Sequence, residues 1–91
     1  MFHAIKKARL EKAITKADFF HTCPQPEIRI DLIRYAFNHL THKPQTAYKL
    51  FTNWEGNKKA IVFVSITVLR WMVENKFAKV KNINDKYYYY I

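Results

Sequence analysis

The chain has 91 residues, 49% of them hydrophobic and 16% aromatic, with one glycine, three prolines and one cysteine. That composition fits one small domain with its own core and excludes a disordered tail or a disulfide-stapled scaffold. Sixteen Lys and Arg stand against seven Asp and Glu, a net charge of +9, which points to a polyanionic partner: nucleic acid, a ribosome or an acidic membrane surface.

No stretch approaches the ~18–20 apolar residues of a membrane span. The longest candidate, "AIVFVSITVL" at 60–69, is bracketed by Lys59 and Arg70. The N-terminus "MFHAIKKARL" lacks a continuous apolar region, so no secretory signal is expected. A lone cysteine makes no internal disulfide, and a reducing compartment, cytoplasmic or nucleoid-associated, is expected.

Residues 2–21 read as a basic amphipathic helix, taken with residues 22–23 as the N-terminal unit 1–23. Leu10, Ala13, Ile14, Ala17 and Phe20 form one apolar stripe, and Lys6, Lys7, Arg9, Lys12 and Lys16 crowd the rest. "CPQP" at 23–26 breaks the chain.

A second helix is expected from Pro26, near N1, where its missing N–H costs nothing. Ile30, Ile33, Ala36, Phe37 and Leu40 mark its buried side, and Lys43-Pro44 its end. Thr46 suits the N-cap of a third, short helix, in which Ala47, Leu50, Phe51 and Trp54 repeat at i, i+3, i+4, i+7. Gly56, the only glycine, is expected to close it in a left-handed conformation.

For 58–76 one helix is favoured, with Val62, Ile66, Leu69, Val73 and Phe77 as its buried stripe. The β-branched run at 60–64 leaves a short strand as the alternative. Asn75 is the expected left-handed terminus.

Residues 78–91 read as a β-hairpin turning at Asn84-Asp85. That turn pairs Ala78 with Ile91, Val80 with Tyr89 and Asn82 with Tyr87 on one face, and Lys79 with Tyr90 and Lys81 with Tyr88 on the other. The four consecutive tyrosines of "NDKYYYYI" therefore divide. Tyr87 and Tyr89 turn inward, while Tyr88 and Tyr90 turn outward beside two lysines, on a surface suited to phosphate and sugar.

This order of three helices and a closing hairpin, in the unit 24–91, resembles a winged helix-turn-helix domain. "TAYKLFTNW" resembles the helix before the turn, "SITVLRWMVENKFAKV" the recognition helix running into the first wing strand, and "NINDKYYYYI" the wing tip and last strand. Members of the family often carry glycine just before the first wing strand, where Lys76 stands here. The resemblance implies an α+β, mostly α, fold: a three-helix core, a C-terminal two-stranded wing and here an extra N-terminal helix. It also implies binding to double-stranded DNA, the recognition helix in the major groove and the wing on backbone or minor groove. Carried onto matching positions, the helix candidates are Lys58, Lys59, Ser65, Thr67 and Arg70. The wing candidates are Lys79, Lys81, Asn82, Asn84 and Lys86, with Tyr88 and Tyr90 beside them. Lysines neutralise phosphates and make binding salt-dependent. Of these side chains, only Arg70 and the Asn, Ser and Thr residues suit base edges, so the set favours positioning over sharp readout.

Other chemistry has little support. His21, Cys23, His39 and His42 are zinc-ligand types, but their spacing matches no common zinc pattern, and His39 and His42 suit a helix C-terminus. No glycine-rich phosphate loop, GxSxG or HExxH is present, so neither an enzyme nor a cofactor is expected. The reading is a small DNA-binding transcriptional regulator, of a size that suits a virus or mobile element. Its apolar run at 60–69 invites a second subunit, and a homodimer is expected. The rivals are a winged-helix protein-interaction module and an RNA or ribosome binder.

Overall fold

The computed structural model describes residues 2–17, 26–56 and 58–91, with side chains over 6–17, 26–56 and 64–91. The described residues form four helices, α1 (Phe2–Lys16), α2 (Pro26–His39), α3 (Ala47–Leu50) and α4 (Lys58–Glu74), followed by β1 (Lys79–Ile83) and β2 (Lys86–Tyr90). The architecture is α+β and mostly helical, ending in a two-stranded antiparallel hairpin.

In α1 the apolar stripe is buried at Leu10 and Ile14, and Lys6, Lys7, Arg9, Lys12 and Lys16 are exposed. The helix ends at Lys16, earlier than expected. There the Ala17 N–H bonds to Ile14 O at 3.2 Å, tightening the last turn, while Thr15 Oγ1 donates to Glu11 O. Phe20, assigned to the same stripe, lies outside the described residues. Leu10 and Ile14 belong to the one core cluster that runs on into α2, α4 and β2. A bidentate pair ties α1 to α2, Arg34 Nε to Glu11 Oε1 and Nη2 to Oε2, both at 2.8 Å.

Helix α2 starts at Pro26 and buries Leu32, Ile33 and Ala36, with Leu40 just beyond its end. It stops at His39, short of Lys43-Pro44, because the following backbone finds other partners. Gln45 and Tyr89 exchange both hydrogen bonds, N to O 3.1 Å one way and 2.8 Å the other. The Ile91 N–H donates to Thr41 O at 2.9 Å. The segment 41–45 thus lies along β2, a pairing not anticipated from sequence.

Thr46 caps α3 with extended backbone (φ −72°, ψ 161°), its hydroxyl accepting from the Lys49 N–H at 3.3 Å. Leu50, Phe51 and Trp54 are buried, but the helix ends at Leu50, short of the expected close at Gly56, because the Thr52 and Trp54 N–H groups turn back to Lys49 O and Phe51 O, three residues before each. Trp54 Nε1 donates to Asp31 Oδ2 at 2.7 Å and closes this turn onto α2. The expected left-handed conformation at Gly56 is not found, since no glycine has positive φ. The indole of Trp54 lies so close that a β-carbon at Gly56 would meet it at 2.1 Å. Glycine serves here for space rather than for backbone freedom.

Helix α4 is continuous through 60–64, which removes the strand alternative. Its buried residues are Val64, Ser65, Val68, Leu69 and Met72, whereas Ile66 is 56% exposed. The face against the core is therefore turned by roughly 100°, one residue's step, from the expected Val62–Ile66–Leu69–Val73 stripe. The side chain of Val62 lies outside the described residues. An apolar run on nearly all sides does not select its own buried face.

The helix ends in a Schellman motif. The Phe77 N–H bonds to Met72 O at 2.8 Å and the Lys76 N–H to Val73 O at 3.0 Å. The left-handed residue is Lys76 (φ 65°), one position beyond Asn75. Asn75 Nδ2 instead donates to Trp71 O at 2.9 Å.

The hairpin has the expected register: Lys79↔Tyr90, Val80↔Tyr89, Lys81↔Tyr88, Asn82↔Tyr87 and Ile83↔Lys86. Asn84 (φ 52°) and Asp85 (φ 66°) are both left-handed, the requirement of a type I′ turn. Tyr89 turns into the core and is 6% exposed, but Tyr87, expected inward as well, is 56% exposed. The ribbon outreaches the core, so only the residue nearer its base finds cover.

Candidate nucleic-acid interface

Alternation along the strands assembles the wing candidates. Lys79, Lys81 and Lys86 share one ribbon face with Ile83, Tyr88 and Tyr90. The lysines are exposed, whereas Tyr88 and Tyr90 are half-buried and form a base beneath them. Lys81 Nζ stands 5.8 Å from the Tyr90 ring centroid, a cation–π contact that holds an ammonium over a phenol. Asn82 lies on the opposite face with Val80, Tyr87 and Tyr89, and Asn84 is at the tip. All three hairpin lysines are exposed, where a phosphate reaches them without desolvating a buried group.

The helix candidates separate. Arg70 is exposed, Thr67 is half-buried and Ser65 is 6% exposed. The rotation of α4 carries Ser65 into the core, where its hydroxyl is unavailable to a base edge. The side chains of Lys58 and Lys59 lie outside the described residues.

Arg70 connects helix and ribbon electrostatically. Burial pushes the Tyr89 phenol above its ordinary pKa, and the neighbouring Tyr87 adds to this. The Arg70 guanidinium acts in the opposite sense, favouring the phenolate. Arg70 is thus within electrostatic reach of Tyr89, and Asn82 stands on the ribbon face opposite the three lysines.

The most exposed large hydrophobic side chains beyond the expected set are Tyr48, 85% exposed on α3, Ile66 on α4 and Tyr87 near the ribbon tip. The signal for Tyr48 was its absence from the Ala47–Leu50–Phe51–Trp54 stripe. Tyr87 precedes Tyr89 by one inward step, toward the turn, and so stands farther from the body of the protein.

The histidines considered as metal ligands have other contacts. His39 Nδ1 donates to Tyr35 O at 2.8 Å, and its ring stacks on Tyr35 with centroids 3.9 Å apart. His42 Nδ1 donates to Ile91 O at 2.8 Å, tying the loop after α2 to the end of β2. His21 and Cys23 lie outside the described residues. Among the described residues no three His, Cys, Asp or Glu are grouped to hold a metal ion, and no helix is long and apolar enough to cross a membrane. Comparison with protein-family models, with curated proteins and with solved structures finds no match to this chain.

Proposed function

We propose that this chain is a winged helix-turn-helix protein that binds duplex DNA and regulates transcription. In this reading α4 enters the major groove and the β1–β2 ribbon is the wing. The observation that carries it is the ribbon itself: a type I′ hairpin holding Lys79, Lys81 and Lys86 on one exposed face, in a chain of net charge +9. Lysines so placed neutralise phosphates and release counterions. Arg70, exposed on α4, is the candidate for base-edge contact. Ser65 has no part in it, and Lys79, Lys81 and Lys86 act on backbone.

A second reading, a protein-interaction module, is favoured by the exposure of Ile66 and Tyr87, which are apolar or aromatic and lie outside the basic ribbon face. Ile66 lies one turn before Arg70 on the same face of α4, so a partner that covers it would compete with duplex DNA for that face.

The test is selection of bound duplexes from a random pool, followed by titration at two salt concentrations against single-stranded RNA. An enriched motif with steep salt dependence supports the proposal, and its symmetry reports the oligomer. Tighter binding to RNA, or no nucleic-acid binding, overturns it in favour of the respective rival.

A further inference from the structure

A cavity of about 560 Å³ opens where the exposed face of α1 meets the base of the hairpin. Four cations from three parts of the chain border it: Lys6 and Arg9 of α1, Lys76 of the Schellman turn and Lys79 of β1. Phe37, Phe77 and Ile91 give it an apolar floor, with His42 beside them. Among the described residues no Asp or Glu side chain lines it. Among the described residues none of the four has a carboxylate partner.

Two local features hold this wall in place. The Schellman bonds fix Lys76 and Phe77 to the end of α4, and Trp71 stacks on Phe77 with ring centroids 6.0 Å apart. Lys76 also sits in left-handed backbone that glycine would occupy without strain. That conformation is the one a Schellman motif demands of its closing residue, and it sets the direction of the Lys76 side chain.

We infer that this cavity binds an amphipathic anion, a small molecule with an apolar body and a phosphate or carboxylate head. The body lies on Phe37, Phe77 and Ile91, and the head is held by Lys6, Arg9, Lys76 and Lys79. Apolar floors with a few convergent polar groups, at this volume, are the general form of small-molecule sites. Lys79 is shared with the ribbon face of the proposed function, whereas Lys6, Arg9 and Lys76 belong to the cavity alone, so the variants below separate the two.

Calorimetric titration tests it, with decyl phosphate and decanoate below their micelle concentrations, against inorganic phosphate and decanol. Either amphiphile should bind one-to-one and at least about tenfold tighter than inorganic phosphate or decanol, because head and body contribute together. The tighter of the two identifies the head group. Lys76→Gly, which also relieves the backbone, and Arg9→Gln should each weaken binding by about fivefold or more. Lys12→Gln, an exposed α1 charge that does not line the cavity, should leave it unchanged. Absence of saturable binding, or equal loss in Lys12→Gln, would overturn the assignment.

Discussion

The indole of Trp54 fills the space that a β-carbon on Gly56 would need, with Cζ2 at 2.1 Å from that position. Trp54 cannot easily yield, because it is buried and its Nε1–H is held by Asp31 at 2.7 Å. Gly56→Ala should therefore lower stability by about 1–3 kcal/mol, the usual cost of overpacking, measured by urea unfolding. Gly56→Asn separates this cause from a backbone one. Asparagine tolerates left-handed backbone but is larger than alanine, so it should be at least as damaging. Rescue by asparagine would show that conformation, not space, demands glycine.

Lys76 and Asp85 both occupy left-handed backbone, at φ 65° and 66°. Glycine adopts that region without strain, and Asn-Gly is the preferred pair for a type I′ turn. Lys76→Gly and Asp85→Gly should each stabilise the fold by about 0.5–1 kcal/mol. The sites are separate, so the double variant should show a nearly additive rise in the urea midpoint. A fall in either single variant would mean that the lost side chain contributes more than the strain it imposes.

The Arg34 guanidinium, hydrogen-bonded to both oxygens of Glu11, holds that carboxyl below its ordinary pKa. A carboxyl with a lowered folded-state pKa adds stability above its unfolded value, and this is lost as pH falls through the folded value. Both side chains are more than a third exposed, so the pair contributes no more than about 1 kcal/mol. Glu11→Gln should cost that much at neutral pH and nothing in acid. Wild-type and variant stability curves should converge as pH drops through the carboxylate range. A gap that persists at low pH would assign the loss to packing.

On the ribbon, Lys79→Ala combined with Lys81→Ala should weaken duplex binding. It should also reduce the slope of log affinity against log salt by up to about two phosphate contacts, near 0.9 each. The measurement is fluorescence anisotropy on the selected duplex across a salt series. Unchanged slope and affinity would remove the ribbon from the interface.

Arg70 should behave differently from the lysines. Arg70→Ala should narrow the gap between the selected duplex and a scrambled one, with a smaller effect on scrambled DNA, since base-edge contacts specify and phosphate contacts position. An equal loss on both duplexes would assign Arg70 to phosphate.

The parts of this molecule legible from its residues are those governed by neighbours a few positions apart. Thr46 caps α3 because its hydroxyl reaches an N–H three residues on, and Pro26 opens α2 because N1 needs no donor. The hairpin register follows from one turn and an alternation of two, which pairs Lys79 with Tyr90 and Lys81 with Tyr88. Lys79 and Lys81 could thus be placed on a common face before any fold was known, and the observed register adds Lys86 to it. Contacts distant along the chain set the rest. Burial of Ser65 and exposure of Ile66 depend on which side of α4 meets the core, and a helix apolar nearly all round leaves that choice to its neighbours. Gly56 takes its meaning from an indole folded back over it, and Tyr87 stays in solvent because the ribbon extends past the core that covers Tyr89. The cavity between α1 and the hairpin joins Lys6 to Lys79, a proximity that no local pattern encodes, because only packing of the whole chain brings those charges together.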